Sequence, residues 1–317
     1  MKPRALVFGH TGQDGRLLTK LLVNKGFSVI GISSVEMLLE GSSQKSKFNI
    51  LSRTDMECLI ENFKPKQIYY LSAFHSSTEN LGVFPTVEIY RRSIKVNAEG
   101  FLNVLHAVAQ KNPVSKVFYA SSSHVFGNPI VAPQDERHPR NPTAPYGQSK
   151  SLGMDIAQYY RDQHQLYCSS GILYNHESYL RGPTFFSKKV CVGVADIIRG
   201  RQKKLVVGNL DSVVDWSYAK DVVTAMYLSL SAEQPMDYVI ASGKGHTTRQ
   251  FLSEAFGSQG LNYLDYVEVN KKFEDSTSTK IPRIGDSRLI TAVTDWRPEF
   301  SFAEMVERLI LDELHEK

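Results

Sequence analysis

The sequence predicts an α/β fold: a doubly wound parallel sheet with a smaller α/β lobe for a substrate. Three observations predict it. A strand, a glycine-rich turn, a helix and a second strand follow one another within the first 32 residues. Apolar strand-like runs then alternate with helix-period segments through the middle of the chain. Tyr146 and Lys150, four residues apart, open one of those helices soon after a serine-rich strand end. Such alternation implies parallel strands, helices on both faces and ligands at the C-terminal ends of the strands.

The opening unit is the most specific. Ala5, Leu6, Val7 and Phe8 form a short apolar run that ends in Gly9-His10-Thr11-Gly12-Gln13-Asp14-Gly15. Leu17, Leu18, Leu21 and Leu22 recur at helical spacing until Gly26, and residues 27–32 form the second strand. A G-x-x-G-x-x-G turn lets the backbone pass close to a pyrophosphate and aims helix N–H groups at it. The unit therefore predicts a Rossmann-type dinucleotide site made by Gly9, Thr11, Gly12, Gln13, Asp14 and Gly15. His10 either touches phosphate or only caps the turn. An acid at the end of the second strand would hold the 2′-hydroxyl of NAD, and a basic residue would suit the 2′-phosphate of NADP. Ser33 and Ser34 stand there instead. Both are candidate cofactor contacts, and NAD and NADP stay open, with NADP favoured. Residues 40–47, including GSSQKSK, read as an exposed loop.

Residues 67–71 form a further strand, whose edge presents Leu71, Ser72 and Ala73 to the cofactor. Phe101, Val104, Leu105 and Val108 give the stripe of a helix over residues 97–108. Residues 117–120 form a strand ending in Ser121-Ser122-Ser123-His124, and residues 146–164 a helix. A basic amphipathic helix spans residues 185–201, with short strands at 205–208, 238–241 and 267–269, a helix starting at 218–222 and a last helix at 302–314. Residues 1–175 and 213–242 are expected to form the cofactor domain. Residues 176–212 and 243–317 are expected to form the substrate lobe, with Trp296 packing there.

Tyr146 and Lys150 share one helix face. A free phenol, with a pKa of about 10, is a poor base at neutral pH. A neighbouring ammonium and an oxidised nicotinamide favour the phenolate. Ser122, at the preceding strand end, is placed to hold the substrate oxygen. Together with the glycine turn upstream, the pair reads as a proton-transfer device.

Composition limits the alternatives. The chain is 42% hydrophobic and 22% charged, ordinary for a globular protein, and its net charge of +4 is too small to argue for nucleic acid. A nucleotide diphosphate suits it as well. Three cysteines lack disulfide or metal spacing, so a reducing cytoplasm and no metal are expected. MKPRALVFG lacks a secretory signal's apolar stretch, and no run reaches membrane-spanning length.

These motifs resemble the extended short-chain dehydrogenases/reductases that modify nucleotide sugars, over nearly the whole chain. Within that group GHTGQDG (9–15), GILYNHESYLRG (171–182) and GNLDSVVDWSYAKD (208–221) are most similar to GDP-mannose 4,6-dehydratases. The resemblance implies Ser122, Tyr146 and Lys150 as the hydride-transfer triad, and Asn49 as a further cofactor contact. It also implies Ser123, Asn175, Glu177, Arg181, Lys188 and Lys189 as contacts to a nucleotide-diphosphate sugar, a GDP-sugar favoured, and a homodimer or higher homo-oligomer. The sequence departs from the family at three places. His124 stands where the dehydratases carry a glutamate that removes the C5 proton. A histidine can be an acid or base near neutral pH, so His124 is a candidate catalytic residue. Val214 and Ser276 replace arginines, and Lys188, Lys189 and Arg283 are the available cations in their stead. The expected activity is dehydratase-like hydride transfer at sugar C4. A 4-keto-sugar reductase or an epimerase is the alternative, and a non-catalytic NADP(H)-binding sensor the rival from another class.

Overall fold

Six parallel strands carry the architecture of the computed structural model, which describes residues 2–33, 37–39, 42–44, 49–75, 85–270 and 281–315. In chain order the first half comprises β1 (Arg4–Phe8), α1 (Gln13–Asn24), β2 (Ser28–Ile32), β3 (Met37–Leu39), β4 (Ser42–Gln44), α2 (Arg53–Phe63), β5 (Gln67–Tyr70), α3 (Thr86–Ile94), α4 (Gly100–Lys111), β6 (Lys116–Ala120) and α5 (Pro145–His164). The second half comprises β7 (Cys168–Leu173), β8 (Asn175–Glu177), α6 (Phe186–Ile198), β9 (Leu205–Val207), β10 (Val213–Tyr218), α7 (Ala219–Ser229), β11 (Asp237–Ile240), β12 (Gly245–Thr247), α8 (Thr248–Gly257), β13 (Val267–Val269), α9 (Arg288–Thr294) and α10 (Phe302–His315).

The main sheet runs β11-β7-β6-β5-β1-β2-β3-β4. Every pairing from β11 across to β2 is parallel, as the strand–helix alternation predicts. The far edge is different. Residues 42–44, expected within a loop, form β4, which pairs antiparallel with β3, and β3 pairs antiparallel with β2. An available sheet edge, rather than composition, decides this polar stretch.

Helices cover both faces, so the central strands read as continuous apolar runs. On one face Met56 and Ile60 of α2, Phe101, Val104 and Leu105 of α4, and Met154 and Ala157 of α5 pack onto the sheet. On the other, Leu17, Leu18 and Leu22 of α1 meet Val222, Val223 and Met226 of α7. Trp296 joins this second cluster, not the smaller lobe's, and its indole N–H donates to the Asp221 carbonyl at 2.9 Å.

The helix carrying Phe101 begins earlier than its apolar stripe indicates. α3 runs through a π-helical turn, Lys95–Glu99, straight into α4. The hydroxyls of two strand tyrosines serve that turn: Tyr70 donates to the Val96 carbonyl at 2.6 Å and Tyr119 to the Asn97 carbonyl at 2.7 Å. Such turns lose regular i→i−4 bonding, so outside donors matter.

The smaller lobe holds a three-stranded sheet, β12-β10-β8, and a two-stranded one, β13-β9. Its own apolar cluster joins Val190 and Val194 of α6 to Phe251 and Phe256 of α8 and Leu309 of α10. Asp215 of β10 fastens the loops around it. Its buried carboxylate accepts from Ser242 N (2.9 Å), Ser242 Oγ (2.6 Å), Gly243 N (3.1 Å) and Gly285 N (3.1 Å). Replacing Asp215 with Ala strands these buried donors, so urea unfolding is expected to show a loss of about 3 kcal/mol or more. A loss below about 1 kcal/mol would show that the loops are held by other contacts.

Candidate active site

The glycine turn sits at the end of β1, where the chain's strands begin to add on opposite sides of the sheet. Gly9, at φ +85°, donates its N–H to the Ile32 carbonyl at 2.7 Å. A Cβ on Gly9 would lie 2.8 Å from Ser72 N, and one on Gly15 would lie 2.2 Å from Gly9 O. These two positions must lack a side chain for the turn, α1 and the end of β5 to meet. Leu71, Ser72 and Ala73 are thereby brought beside the turn, with Leu71 N donating to Phe8 O at 2.9 Å. Thr11 and Gly12 are exposed at its crest. Gly12 caps α1 with no side-chain hydrogen bond, so the first helical N–H groups have no side-chain partner at the cap.

The His10 ring lies over β2, where a Cβ on Gly31 would come within 2.4 Å of it, and its buried Nδ1 has no hydrogen-bond partner among the described residues. His10 therefore packs rather than capping the turn. An uncapped helix start, a glycine cradle and an unpaired buried imidazole nitrogen fit the phosphates and ribose of a dinucleotide. Ser33 is buried where β2 ends. Ser34 lies outside the described residues, as does Ser276. Asn49 is exposed and accepts from Leu51 N at 3.0 Å in the loop before α2.

Gln13 and Asp14 are engaged from the far side of the molecule. His176 Nδ1 meets the Tyr174 carbonyl at 2.6 Å, and its Nε2 meets Asp14 Oδ2 at 2.9 Å. Both partners are acceptors, so both ring nitrogens must donate and the ring is an imidazolium. Burial alone would lower the His176 pKa, but Asp14's charge and hydrogen bond raise it. Burial alone would raise Asp14, but His176 outweighs it and holds the carboxyl below its ordinary value. Gln13 donates to the His176 carbonyl at 3.1 Å and accepts from Ser178 Oγ at 2.9 Å. The glycine turn and the NHES segment thus form one hydrogen-bonded unit.

Tyr146, Lys150, Ser122 and His124 come together at the ends of β6 and α5. Pro145 is the first residue of α5, so Tyr146 emerges at the helix start. Lys150 is 1% exposed, and its ammonium donates to the Ala120 carbonyl at 2.7 Å. Burial brings it down to about 7, opposed by the Asp14 charge. Tyr146 is pushed up to about 12 by burial, opposed by a hydrogen bond with Ser122 and by the Arg181 charge. Ser122 Oγ also accepts from His124 N at 3.3 Å, and Ser123 is buried in the same short 3₁₀ turn. His124 packs edge-on to Tyr146, with ring centroids 5.7 Å apart. Burial, the Arg283 charge and His75 bring it down to about 3, so its imidazole is neutral across the physiological range.

Two residues that the sequence did not single out complete the site. His75, just past β5, has its ring 4.7 Å from Tyr146 and 6.4 Å from His124. Asn97, in the π turn, accepts from Phe74 N at 2.8 Å and donates to Phe74 O (3.2 Å) and Ser149 Oγ (2.9 Å). It ties the chain before His75 to the helix of Tyr146. Only a histidine near a strand end pointed to His75, a weak signal on its own.

The substrate-side residues divide into two groups. The buried Glu177 carboxylate holds Arg181 Nε at 3.1 Å and Ser187 Oγ at 2.5 Å. The Arg181 guanidinium stacks 3.7 Å above the Phe185 ring. Lys188 is committed to Glu313 and to the Tyr179 carbonyl. Asn175 is exposed at the start of β8. Lys189 lines an open cleft of about 570 Å³ with Pro183, Val192, Gln202, Lys204 and Val206.

A family model described as GDP-mannose 4,6 dehydratase matches residues 6–309. GDP-mannose 4,6 dehydratase 1 of Arabidopsis thaliana is 33% identical over 336 residues, covering 99% of this chain and 91% of its own. The GDP-mannose 4,6 dehydratase of Homo sapiens is 32% identical over 346 residues, covering 98% of this chain and 91% of its own. Among solved structures, a UDP-glucose 4-epimerase of Thermus thermophilus in complex with NAD has a TM-score of 0.82 at 21% identity, covering 99% of each chain. An RMD from Pseudomonas aeruginosa complexed with NADPH has a TM-score of 0.81 at 18% identity, covering 98% of this chain and 99% of its own. Both structural likenesses bear on the fold.

The Asp14–His176 pair should leave a pH signature. His176, raised in the folded state, contributes stability that is full below its unfolded value and is lost as pH rises through the folded one. Asp14, lowered, contributes stability that is present above its unfolded value and is lost as pH falls through the folded one. The stability gap between the wild type and His176→Gln is therefore expected to be widest between about pH 4 and 6.5 and to narrow above. A gap in urea unfolding that stays constant from pH 5 to about 9 would exclude the ion pair.

Proposed function

Because the chain belongs to the GDP-mannose 4,6 dehydratase family, we propose that it removes water from a nucleotide-diphosphate sugar, a GDP-sugar favoured, through a ketone formed at C4. The observation that carries this reading is Tyr146, hydrogen-bonded to Ser122 and backed by buried Lys150, in a site that also holds the glycine turn's Asp14 charge. A nicotinamide dinucleotide held by residues 9–15, Ser33 and residues 71–73 would supply the hydride acceptor and donor. NADP is favoured over NAD, because Ser33 follows the last residue of β2, where a carboxylate would repel a 2′-phosphate.

Tyr146 takes the proton of the sugar 4-hydroxyl, and Ser122 holds the oxygen. With no other ligand the phenol is held near 12, too weak an acid to ionise at neutral pH. Positive charge must bring it down, and Lys150 and Arg181 are the cations that act there. Lys150 titrates near neutrality, so a small gain in local negative charge charges it fully. On this reading Lys189, beside Lys204, meets the nucleotide in the 570 Å³ cleft. Arg181 faces the sugar end, and Asn175 and Ser123 are assigned to the same sugar, while Glu177 orients Arg181 and Lys188 braces α6 against α10. Residues 1–175 and 213–242 then serve the cofactor and residues 176–212 and 243–317 the nucleotide sugar, save that β10 (Val213–Tyr218) builds the smaller lobe's sheet and apolar cluster.

One observation favours a second reading. A neutral His124 is no proton donor and a feeble base, which suits a 4-keto-sugar reductase or an epimerase. Product masses separate them: loss of water for a dehydratase, no change for an epimerase, gain of two hydrogens for a reductase. Tyr146→Phe is expected to lose turnover at least about 100-fold while still quenching on titration with cofactor. Full turnover by that variant would overturn the reading and leave a cofactor-binding sensor.

The reading extends to assembly and compartment. Val87, Tyr90 and Ile94 of α3 and Leu152 and Tyr159 of α5 are exposed apolar residues on two helices that pack together. This face is assigned to a second copy of the chain. Light scattering is expected to give twice the monomer mass, and half that mass for Tyr159→Lys; a monomeric wild type would exclude the assignment. A cytoplasmic setting belongs to the same reading, and no helix among the described residues is long and apolar enough to cross a membrane.

A further inference from the structure

Resting on that reading of the site, we infer that His75 is the catalytic acid/base of the water-loss step, in the place of the glutamate that His124 replaces. The inference comes from the ring cluster. His75 stands edge-on to Tyr146, with centroids 4.7 Å apart and planes at 85°. Its other sides meet Phe185, stacked at 6.0 Å, and His124 at 6.4 Å. Asn97 fixes both backbone groups of the preceding residue, Phe74, and bonds to Ser149 on the tyrosine's own helix. His75 is therefore positioned relative to Tyr146 by side-chain packing and by a backbone clamp, yet keeps an exposed edge.

A sugar whose 4-oxygen meets the Tyr146 hydroxyl places its next two carbons beside the rings packed on that tyrosine. Two imidazoles flank it. His124 is the deeper, and the Arg283 charge opposes its taking a proton. Burial and the Arg181 and Lys150 charges hold His75 below its ordinary value as well, so exposure and position separate the two rings. His75 is exposed where His124 is only partly so, which gives His75 the readier exchange with solvent.

The step balances on these groups. With C4 a ketone, the C5 hydrogen is acidic. His75 takes that proton, and the electron pair of the C5–H bond becomes the C5=C6 bond. The C6–O bond breaks with its electrons, and the proton on His75 passes to the departing oxygen, which leaves as water. Nothing is oxidised or reduced, and His75 ends neutral, as it began. A reduced nicotinamide would return its hydride to C6 while a proton goes back to C5; reversible loss of that C5 proton alone, through the enolate, lets the same residue exchange the C5 hydrogen of a 4-keto-6-deoxy sugar with solvent.

That exchange is the test, because it needs no redox turnover. The nucleotide 4-keto-6-deoxy sugar that a 4,6-dehydratase makes is incubated with protein in deuterium oxide, and deuterium gain at C5 is followed by mass and proton NMR. The wild type is expected to exchange, His75→Gln to be slower by at least about 100-fold, and His75→Ala to regain exchange when imidazole is added. Rescue separates a lost proton carrier from a disturbed fold, and equal melting temperatures of the variants check folding independently. Exchange by His75→Gln at the wild-type rate overturns the assignment and leaves the reading of the site intact. A wild type that exchanges no keto sugar overturns both.

Discussion

The site depends on how closely α5 approaches the end of β6. Two glycines of the helix permit it. A Cβ on Gly147 would lie 2.5 Å from the His124 carbonyl, and one on Gly153 would lie 2.1 Å from the Tyr119 hydroxyl. With the helix seated this deep, Lys150 reaches the Ala120 carbonyl and Ser149 reaches Asn97. Tyr146, one turn earlier, then falls beside Ser122, His124 and His75. Interiors are close-packed, so an added methyl at either glycine would push the helix out and separate these groups.

Deep seating has an electrostatic consequence. A buried ammonium loses its hydration, and a single carbonyl hydrogen bond replaces only part of it. Lys150 consequently titrates near neutrality instead of above 10. The same burial raises Tyr146. The pair is thus held away from its charged state until a ligand adds charge or excludes the remaining water. Arg181 and Asp14 act on Tyr146 with opposite sign, and each is held by a partner, Glu177 or His176. Charge at the phenol is therefore set by residues from two distant parts of the chain, joined where the glycine turn meets the NHES segment.

The smaller lobe is coupled to the same centre. Arg181 and Phe185 lie on the segment leading into α6, and Phe185 stacks on His75. Lys189 follows within the first turn of α6 and faces the 570 Å³ cleft. An anion in that cleft would therefore act at one end of a short chain of contacts whose other end is Tyr146.

The sequence by itself determined the parallel α/β core and the glycine turn, because both rest on local pattern: apolar runs, helical stripes and glycines where a backbone must pass close. It also placed Tyr146, Lys150 and Ser122 close together, since i, i+4 spacing and strand-end position are local too. Tertiary structure alone decided the rest. The β3–β4 hairpin follows from an open sheet edge, and the early start of the α3–α4 helix is hidden by a polar segment in which Val87, Tyr90 and Ile94 stay exposed. The fate of charged residues was equally unreadable: Lys188 is taken by Glu313, Asp14 by His176, and His124 is kept neutral. His75 joins the site through packing against residues 49, 71 and 110 positions away in the chain. A side chain's charge and reach depend on what folding places around it, and that environment comes from segments no local pattern connects.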